Sequence, residues 1–503
     1  MRGVPTRQFD GYRTILAGVT EPSQPTVRVS DGALAGRRAG NVLSFLGIPY
    51  AAPPFGVRRF LPPQPPLRWD GVRDATCFGP SAPQPGTLPF VGEALPRPAA
   101  WGTDCLTLNV LTPELGRAGL PVLVYLHGGG YVVGSGSDRR ADGTAFACDG
   151  VVFVSLNYRL GVDGFLPLPG VPANLGLRDQ LAALRWVRDN IAAFGGDPDN
   201  ITVFGNSAGA GSLAAYAAAP EAAGLFRRMI LQSAPIRLLS DAERAVELTA
   251  RITAELGGDP LDLPLEEMLR RHRALNEGFR DPTRWGPLSY LLTPYMPVID
   301  GELVPDAGLS GRVPASIDLL VGSNRDEARL FLLPNDVLAA ATAEDVRTAQ
   351  AAYRVAPQRV SAATRRYAEC EPGELLSETI TDHLFRGPAV DLAQAHAVAG
   401  GATFTYEFAW RPSALIGATH TLELPFLFGR LDEEDSRPLV GPEPPHELSR
   451  IMRRAWIDFT ATGDPGWPRY DAEDRKTMVF DEHSRVERDP REPHRASWES
   501  ASD

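Results

Sequence analysis

At 503 residues, with 43% hydrophobic and 22% charged side chains, the chain has the balance of an ordinary soluble globular protein rather than a disordered one, and its four cysteines exclude a dense disulfide scaffold. Its formal net charge of −12 repels phosphate backbones and anionic membranes, and no dense Lys/Arg run offsets it, so neither nucleic acid nor membrane is an expected partner. No apolar run reaches membrane-spanning length, and Arg2, Arg7, Asp10 and Arg13 interrupt the opening stretch where a signal peptide needs unbroken apolar residues, so a cytoplasmic location is expected.

The first hundred residues are rich in Pro and Gly, with short apolar runs such as Val42 to Ile48, a composition suited to an antiparallel extension of a sheet. Buried strands are predicted at Pro121 to Leu126, Val151 to Tyr158, Ile201 to Phe204, Met229 to Leu231, Leu319 to Val321 and Thr403 to Phe408, each a short β-branched or aliphatic run bounded by turn residues. Between the second and third, residues 176–194 place Leu177, Leu181, Leu184, Val187 and Ile191 on one helical face. Strands alternating with helices predict an α/β class with a mostly parallel sheet, because parallel neighbours need crossover connections. Residues 241–316 and 331–400 read as largely helical insertions over that sheet. The expected organisation is an N-terminal extension (1–24), one domain (25–485) and a polar tail (486–503) that frays after Arg488. Lys476 is the single lysine, and arginine supplies every other basic side chain, as in chains from GC-rich bacterial genomes.

The residues that could carry chemistry lie at predicted strand ends. His127-Gly128-Gly129-Gly130 follows the first of these strands. Three consecutive glycines cost backbone entropy, and a loop that keeps them often directs unhindered N–H groups at a developing oxyanion. Gly129 and Gly130, with Ala208 after the candidate nucleophile, are the candidate donors, and His127 reads as structural. Gly205-Asn206-Ser207-Ala208-Gly209 lies between the strand Ile201 to Phe204 and the helix-forming run after Ser207. That order of strand, sharp turn and helix exposes a serine hydroxyl at a strand's C-terminal end, and it makes Ser207 the candidate nucleophile. A serine needs a base. Of eight histidines, His420 is best placed, in the loop after Thr403 to Phe408, with His396 the next candidate. The acid should lie between them, and Asp326 and Glu327 after Leu319 to Val321 both qualify.

Several segments together resemble the type-B carboxylesterase family, the carboxylesterase and cholinesterase group: FLGIPYAAPP from Phe45, TDCLTLNV from Thr103, the HGGG segment, NYRLG from Asn157, FGGDPDNITVFGNSAG from Phe194, NRDEARLF from Asn324 and GATHTLELPF from Gly417. The resemblance runs from about residue 25 to 480, in the family's order. It implies an α/β-hydrolase fold and a serine ester hydrolase with Ser207, His420 and Glu327 as its triad, so that Asp326 is set aside. It also implies no metal and no cofactor, a small-molecule ester as partner, and a monomer or small homo-oligomer.

The family's pattern further makes Ser233 a partner of the acid, makes Phe90, Trp101 and Phe331 pocket linings, and pairs Cys77 with Cys105 in a disulfide that a reducing cytosol opposes. Three positions depart from it. Asn206 stands where many members have glutamate, Ala328 replaces the glycine after the acid, and Ala234 replaces the glycine after Ser233. An uncharged Asn206 points to small or medium neutral esters rather than cationic ones. The same apparatus could cleave an amide or carbamate, and the family also holds adhesion proteins that have lost the nucleophile. A neutral imidazole is needed for the base, so kcat/KM is expected to rise with pH through roughly 6 to 7.

Overall fold

The computed structural model describes residues 24–86, 100–306, 308, 312–366, 369–492 and 495. In chain order its strands are β1 (Thr26–Val29), β2 (Gly32–Ala35), β3 (Arg37–Ala39), β4 (Val42–Pro49), β5 (Val72–Asp74), β6 (Thr107–Thr112), β7 (Leu120–Leu126), β8 (Val152–Leu156), β9 (Gly196–Asn206), β10 (Arg228–Gln232), β11 (Asp318–Asn324), β12 (Thr403–Phe408), β13 (Lys476–Phe480) and β14 (Arg485–Arg488). An 11-stranded sheet takes the order β14-β13-β12-β11-β10-β9-β7-β8-β6-β4-β3, and β1, β2 and β5 form a small separate sheet. The seven strands from β8 to β13 across the centre run parallel, and antiparallel strands extend both edges.

Burial on both faces explains the runs of apolar residues read from the sequence. Every residue of β8, β10 and β12 is buried, including polar ones such as Thr403 and Gln232 whose side chains find partners. The crossover helix runs from Leu175 to Asn190 and continues as a 3-10 turn over Ile191–Phe194. Leu177, Leu181, Leu184, Val187 and Ile191 are all at most 1% exposed, so the predicted face is the one that packs. A buried ion pair anchors this helix to the loop after β8. The Arg159 guanidinium donates to Asp179 through Nε at 2.8 Å and Nη2 at 2.7 Å, while Arg159 N also donates to Asp179 at 3.0 Å. Loss of one partner of such a pair typically costs about 3–5 kcal/mol, because the other charge is left buried.

The first insertion carries the helices Ala242–Leu256 and Leu265–Gly278. The second carries Ala343–Ala352, Pro357–Arg366 and Pro372–Thr381, the last continuing through a π-helical turn at Asp382–Arg386 into Gly387–Val398. Near the C-terminus β14 pairs with β13 up to Arg488, and beyond it Arg491 Nε donates to Glu407 Oε2 at 2.9 Å. Glu407 is only 5% exposed, so its buried charge supplies the reason for that docking.

Candidate active site

The turn after β9 is where steric limits are tightest. Ser207 has φ 53° and ψ −126°, a conformation costly for a residue with a Cβ, by about 1–3 kcal/mol. Its surroundings hold it there. Ser207 N–H donates to Gln232 O at 2.9 Å on the neighbouring strand, and Ser207 O accepts from Gly211 N at 2.8 Å in the helix Ala208–Tyr216. The flanking glycines are required by the close approach of that helix to the sheet. A Cβ on Gly209 would stand 2.2 Å from Leu126 O, and one on Gly205 would stand 2.7 Å from Gly209 C.

The glycine loop leaves β7 beside this turn, since Leu126 is in register with Gly205. Gly129 and Gly130 have φ of 115° and 62°, and a Cβ on Gly129 would lie 2.0 Å from Val133 O. Asn206 fastens the loop from below: its Oδ1 accepts from Gly128 N at 3.0 Å and from the Tyr125 hydroxyl at 2.8 Å. Thr293 Oγ1 donates to Gly130 O at 2.6 Å from the first insertion. The N–H groups of Gly129, Gly130 and Ala208 find no acceptor among the described residues. His127 is stacked on Tyr158 with centroids 4.3 Å apart, and its ring Nδ1 lies 2.8 Å from Gly128 O. Burial lowers its pKa to about 4, which keeps it neutral and outside acid–base work.

β9, β10, β11 and β12 are consecutive in the sheet, so the loops after β9 and β11 open about 10 Å apart on one edge. Glu327 follows β11 and His420 follows β12. The His420 ring Nδ1 lies 2.5 Å from Glu327 Oε2, and Glu327 Oε1 accepts from Asn324 N at 2.7 Å. Both side chains are buried, at 0% for Glu327 and 2% for His420. His420 Nε2 is enclosed and has no hydrogen-bond partner, while Phe331 and Phe385 pack on the ring with centroids 5.1 and 4.9 Å away. Asp326 points elsewhere: its Oδ2 accepts from Ala418 N at 2.8 Å and pairs with Arg411 at 3.0 Å. It therefore anchors the loop that carries His420. His396 lies in the helix Gly387–Val398 against Thr403 Oγ1 at 2.8 Å, away from the turn.

This geometry can be set beside known proteins. The sequence model of the carboxylesterase family matches residues 23–498. The chain belongs to the carboxylesterase family. It is 36% identical to the para-nitrobenzyl esterase of Bacillus subtilis over 91% of this chain and 95% of that one. It is 34% identical to the phenmedipham hydrolase of Pseudarthrobacter oxydans, over 94% of this chain and 99% of that one. Among solved structures, a carboxylesterase of Geobacillus stearothermophilus at pH 6.2 superposes with a TM-score of 0.81 at 38% identity, covering 94% and 99% of the two chains. The fold is thus that of the α/β hydrolases, and the carboxylesterase is a carboxylic ester hydrolase acting on small-molecule esters.

Within this carboxylesterase the departures from the family pattern acquire physical meaning. Ala328 has φ −69°, so the position does not need glycine. Asn206 is 3% exposed with its oxygen turned to the glycine loop, and it acts as a fastener of that loop. Ser233 does not make the contact expected of it: its Oγ is buried without a hydrogen-bond partner. The two Glu327 oxygens instead receive Asn324 N and the His420 ring. Cys77 and Cys105 are free thiols, exposed and buried respectively, so the implied bridge is absent from the structure. Burial first, and then the Asp179 charge, raise the Cys105 pKa and keep the thiol protonated, which disfavours thiol–disulfide exchange. Trp101 is 41% exposed at a bridge to Ser81, Phe331 abuts His420, and Phe90 lies outside the described residues.

Sequence reasoning missed Asn324, Gln232, Glu423 and Phe385. Gln232 ends β10, next to β9, and Asn324 ends β11, one strand further, both just past the predicted strands, while Glu423 lies three places after His420. Among the described residues no group of three or more His, Cys, Asp or Glu side chains could hold a metal, and no helix is long and apolar enough to cross a membrane.

Proposed function

We propose that this carboxylesterase hydrolyses small to medium neutral carboxylic esters by two-step acyl transfer through Ser207, His420 and Glu327. The observation that carries this reading is the buried Glu327–His420 contact of 2.5 Å, which leaves an enclosed, unpartnered Nε2 at the sheet edge where Ser207 turns. Glu327 holds the imidazole with Nε2 free of hydrogen. That nitrogen takes the Ser207 proton as Oγ bonds to the ester carbonyl carbon. The carbonyl π electrons move onto oxygen, and the N–H groups of Gly129, Gly130 and Ala208 receive that oxyanion. When the oxyanion collapses, the C–O bond to the alcohol breaks, and the imidazolium returns its proton to the departing oxygen. Water, deprotonated by His420, then attacks the acyl-enzyme, and the carboxylic acid leaves with Ser207 restored.

A preference for neutral esters is supported by the charges near the turn. Asn206 carries none, Phe331 and Phe385 present apolar surface, and the Glu327 carboxylate is wholly buried. A panel of p-nitrophenyl esters of increasing acyl length, run with a choline ester and a carbamate on wild type and Ser207→Ala, tests the reading. Hydrolysis of short and medium acyl esters that vanishes in Ser207→Ala is expected. Full activity in that variant overturns the assignment, and a preference for the choline ester overturns the substrate class.

A further inference from the structure

Behind Ser207 and His420 lies a second carboxyl that no step above uses. Glu423 is 0% exposed and opens the short helix Glu423–Leu427. Its Oε1 accepts from Gln232 Nε2 at 3.2 Å and its Oε2 from Asn324 Nδ2 at 2.6 Å. Both amides are oriented by other partners. Gln232 Oε1 accepts from Trp456 Nε1 at 3.3 Å, and Asn324 Nδ2 also donates to Thr419 O at 2.7 Å. Donors therefore face both carboxyl oxygens. A carboxylate satisfies two donors, whereas a carboxylic acid converts one oxygen into a donor that must then face an N–H.

Each of these two residues also reaches the triad, through its backbone. The backbone carbonyl of Gln232 accepts the Ser207 N–H, and the backbone N–H of Asn324 donates to Glu327. Glu423 thus closes a path from the nucleophile turn to the acid loop, more than a hundred residues apart in the chain. We propose that Glu423, as a carboxylate, is a positioning residue that ties the nucleophile turn to the acid loop, and that its protonation releases this tie and lowers kcat. The inference rests on the triad reading of Ser207, His420 and Glu327.

The charged or titratable groups that bear on Glu423 are Glu327 from the acid loop, His420 from its own loop, Tyr406 from β12 and Tyr125 from β7. Among the described residues no arginine or lysine is ion-paired with Glu423. Burial first, and then the Glu327 charge, push the carboxyl up to about 7, so the tie is released near neutral pH.

The test is the pH profile of kcat and kcat/KM for p-nitrophenyl acetate with wild type and Glu423→Gln, with Tm measured alongside. Glutamine reproduces the protonated form, since one of its two terminal atoms is a donor. Wild type should lose activity on acidification with a slope between one and two. Glu423→Gln should show a slope of one, a kcat about tenfold lower at pH 8 and a nearly unchanged KM. Wild-type kcat at pH 8 together with an unchanged acid limb overturns the inference. Should Glu423→Gln not fold, Gln232→Met removes one donor and keeps the backbone bond to Ser207. The second ionisation should then move to higher pH, because the carboxylate loses a hydrogen bond, and an unmoved ionisation overturns the inference. Full activity in Ser207→Ala overturns the triad reading and this inference together, whereas an inactive Ser207→Ala with an unchanged Glu423→Gln profile overturns this inference alone.

Discussion

Gly128 donates its backbone N–H to Asn206 Oδ1 at 3.0 Å, so the residue before Ser207 holds the loop that carries the candidate oxyanion donors. The same oxygen accepts from Tyr125, which fixes it between two strands. Loop and nucleophile are therefore positioned by one side chain. Asn206→Leu removes that acceptor and should lower kcat by about 10- to 100-fold with a smaller change in KM, as expected when an oxyanion site loses alignment. Asn206→Asp keeps the acceptor and should lose less. Steady-state kinetics decide it, and equal losses in the two variants would refute the role of the shared acceptor.

Gly209, beside Ser207, and Gly224, before β10, differ in why they are needed. Gly209→Ala would place a Cβ 2.2 Å from Leu126 O, a backbone atom of the sheet that cannot rotate away. Destabilisation of ~3 kcal/mol or more is expected. Gly224→Ala has open space but φ of 73°, so strain alone should cost about 1 kcal/mol. Denaturant unfolding of both variants measures the difference, and similar midpoints would contradict it.

Glu327 and Asp326 are adjacent acids with separate tasks. Glu327→Gln loses the charge that holds His420 and should lower kcat by about 10³- to 10⁴-fold, with Tm changed little. Asp326→Asn keeps an acceptor for Ala418 N and weakens only the partly exposed Arg411 pair, so less than about a tenfold loss in kcat is expected. A larger loss from Asp326→Asn than from Glu327→Gln would reverse the assignment.

Stability should also report on Glu423. Its pKa is raised from 4.5 to about 7 in the folded protein, so between those values the folded state holds a proton that the unfolded chain releases. Its contribution to stability is therefore present at low pH and is lost as pH rises through about 7. Glu423→Gln cannot ionise, so its Tm relative to wild type should rise between pH 5 and pH 8. Scanning calorimetry at the two pH values checks this, and a constant difference would show that the carboxyl does not titrate in that window.

What could be read from the residues in order was whatever local chemistry dictates. The strand–turn–helix around Ser207, the triple glycine after an apolar strand and the apolar face from Leu177 to Ile191 each follow from short-range sterics and periodicity. Parallel strands in turn brought those loops to one sheet edge. The family pattern chose Glu327 over Asp326, a choice that side-chain direction makes and adjacency in sequence cannot. Packing across the chain decided the rest. Asn324 N and His420, rather than Ser233, hold the Glu327 carboxylate, Arg491 docks because Glu407 is buried, and Gln232, Asn324 and Glu423 meet only because β10, β11 and the His420 loop lie side by side. Such polar contacts depend on three-dimensional neighbours as far as 191 residues apart, and no local pattern in the amino-acid order encodes them.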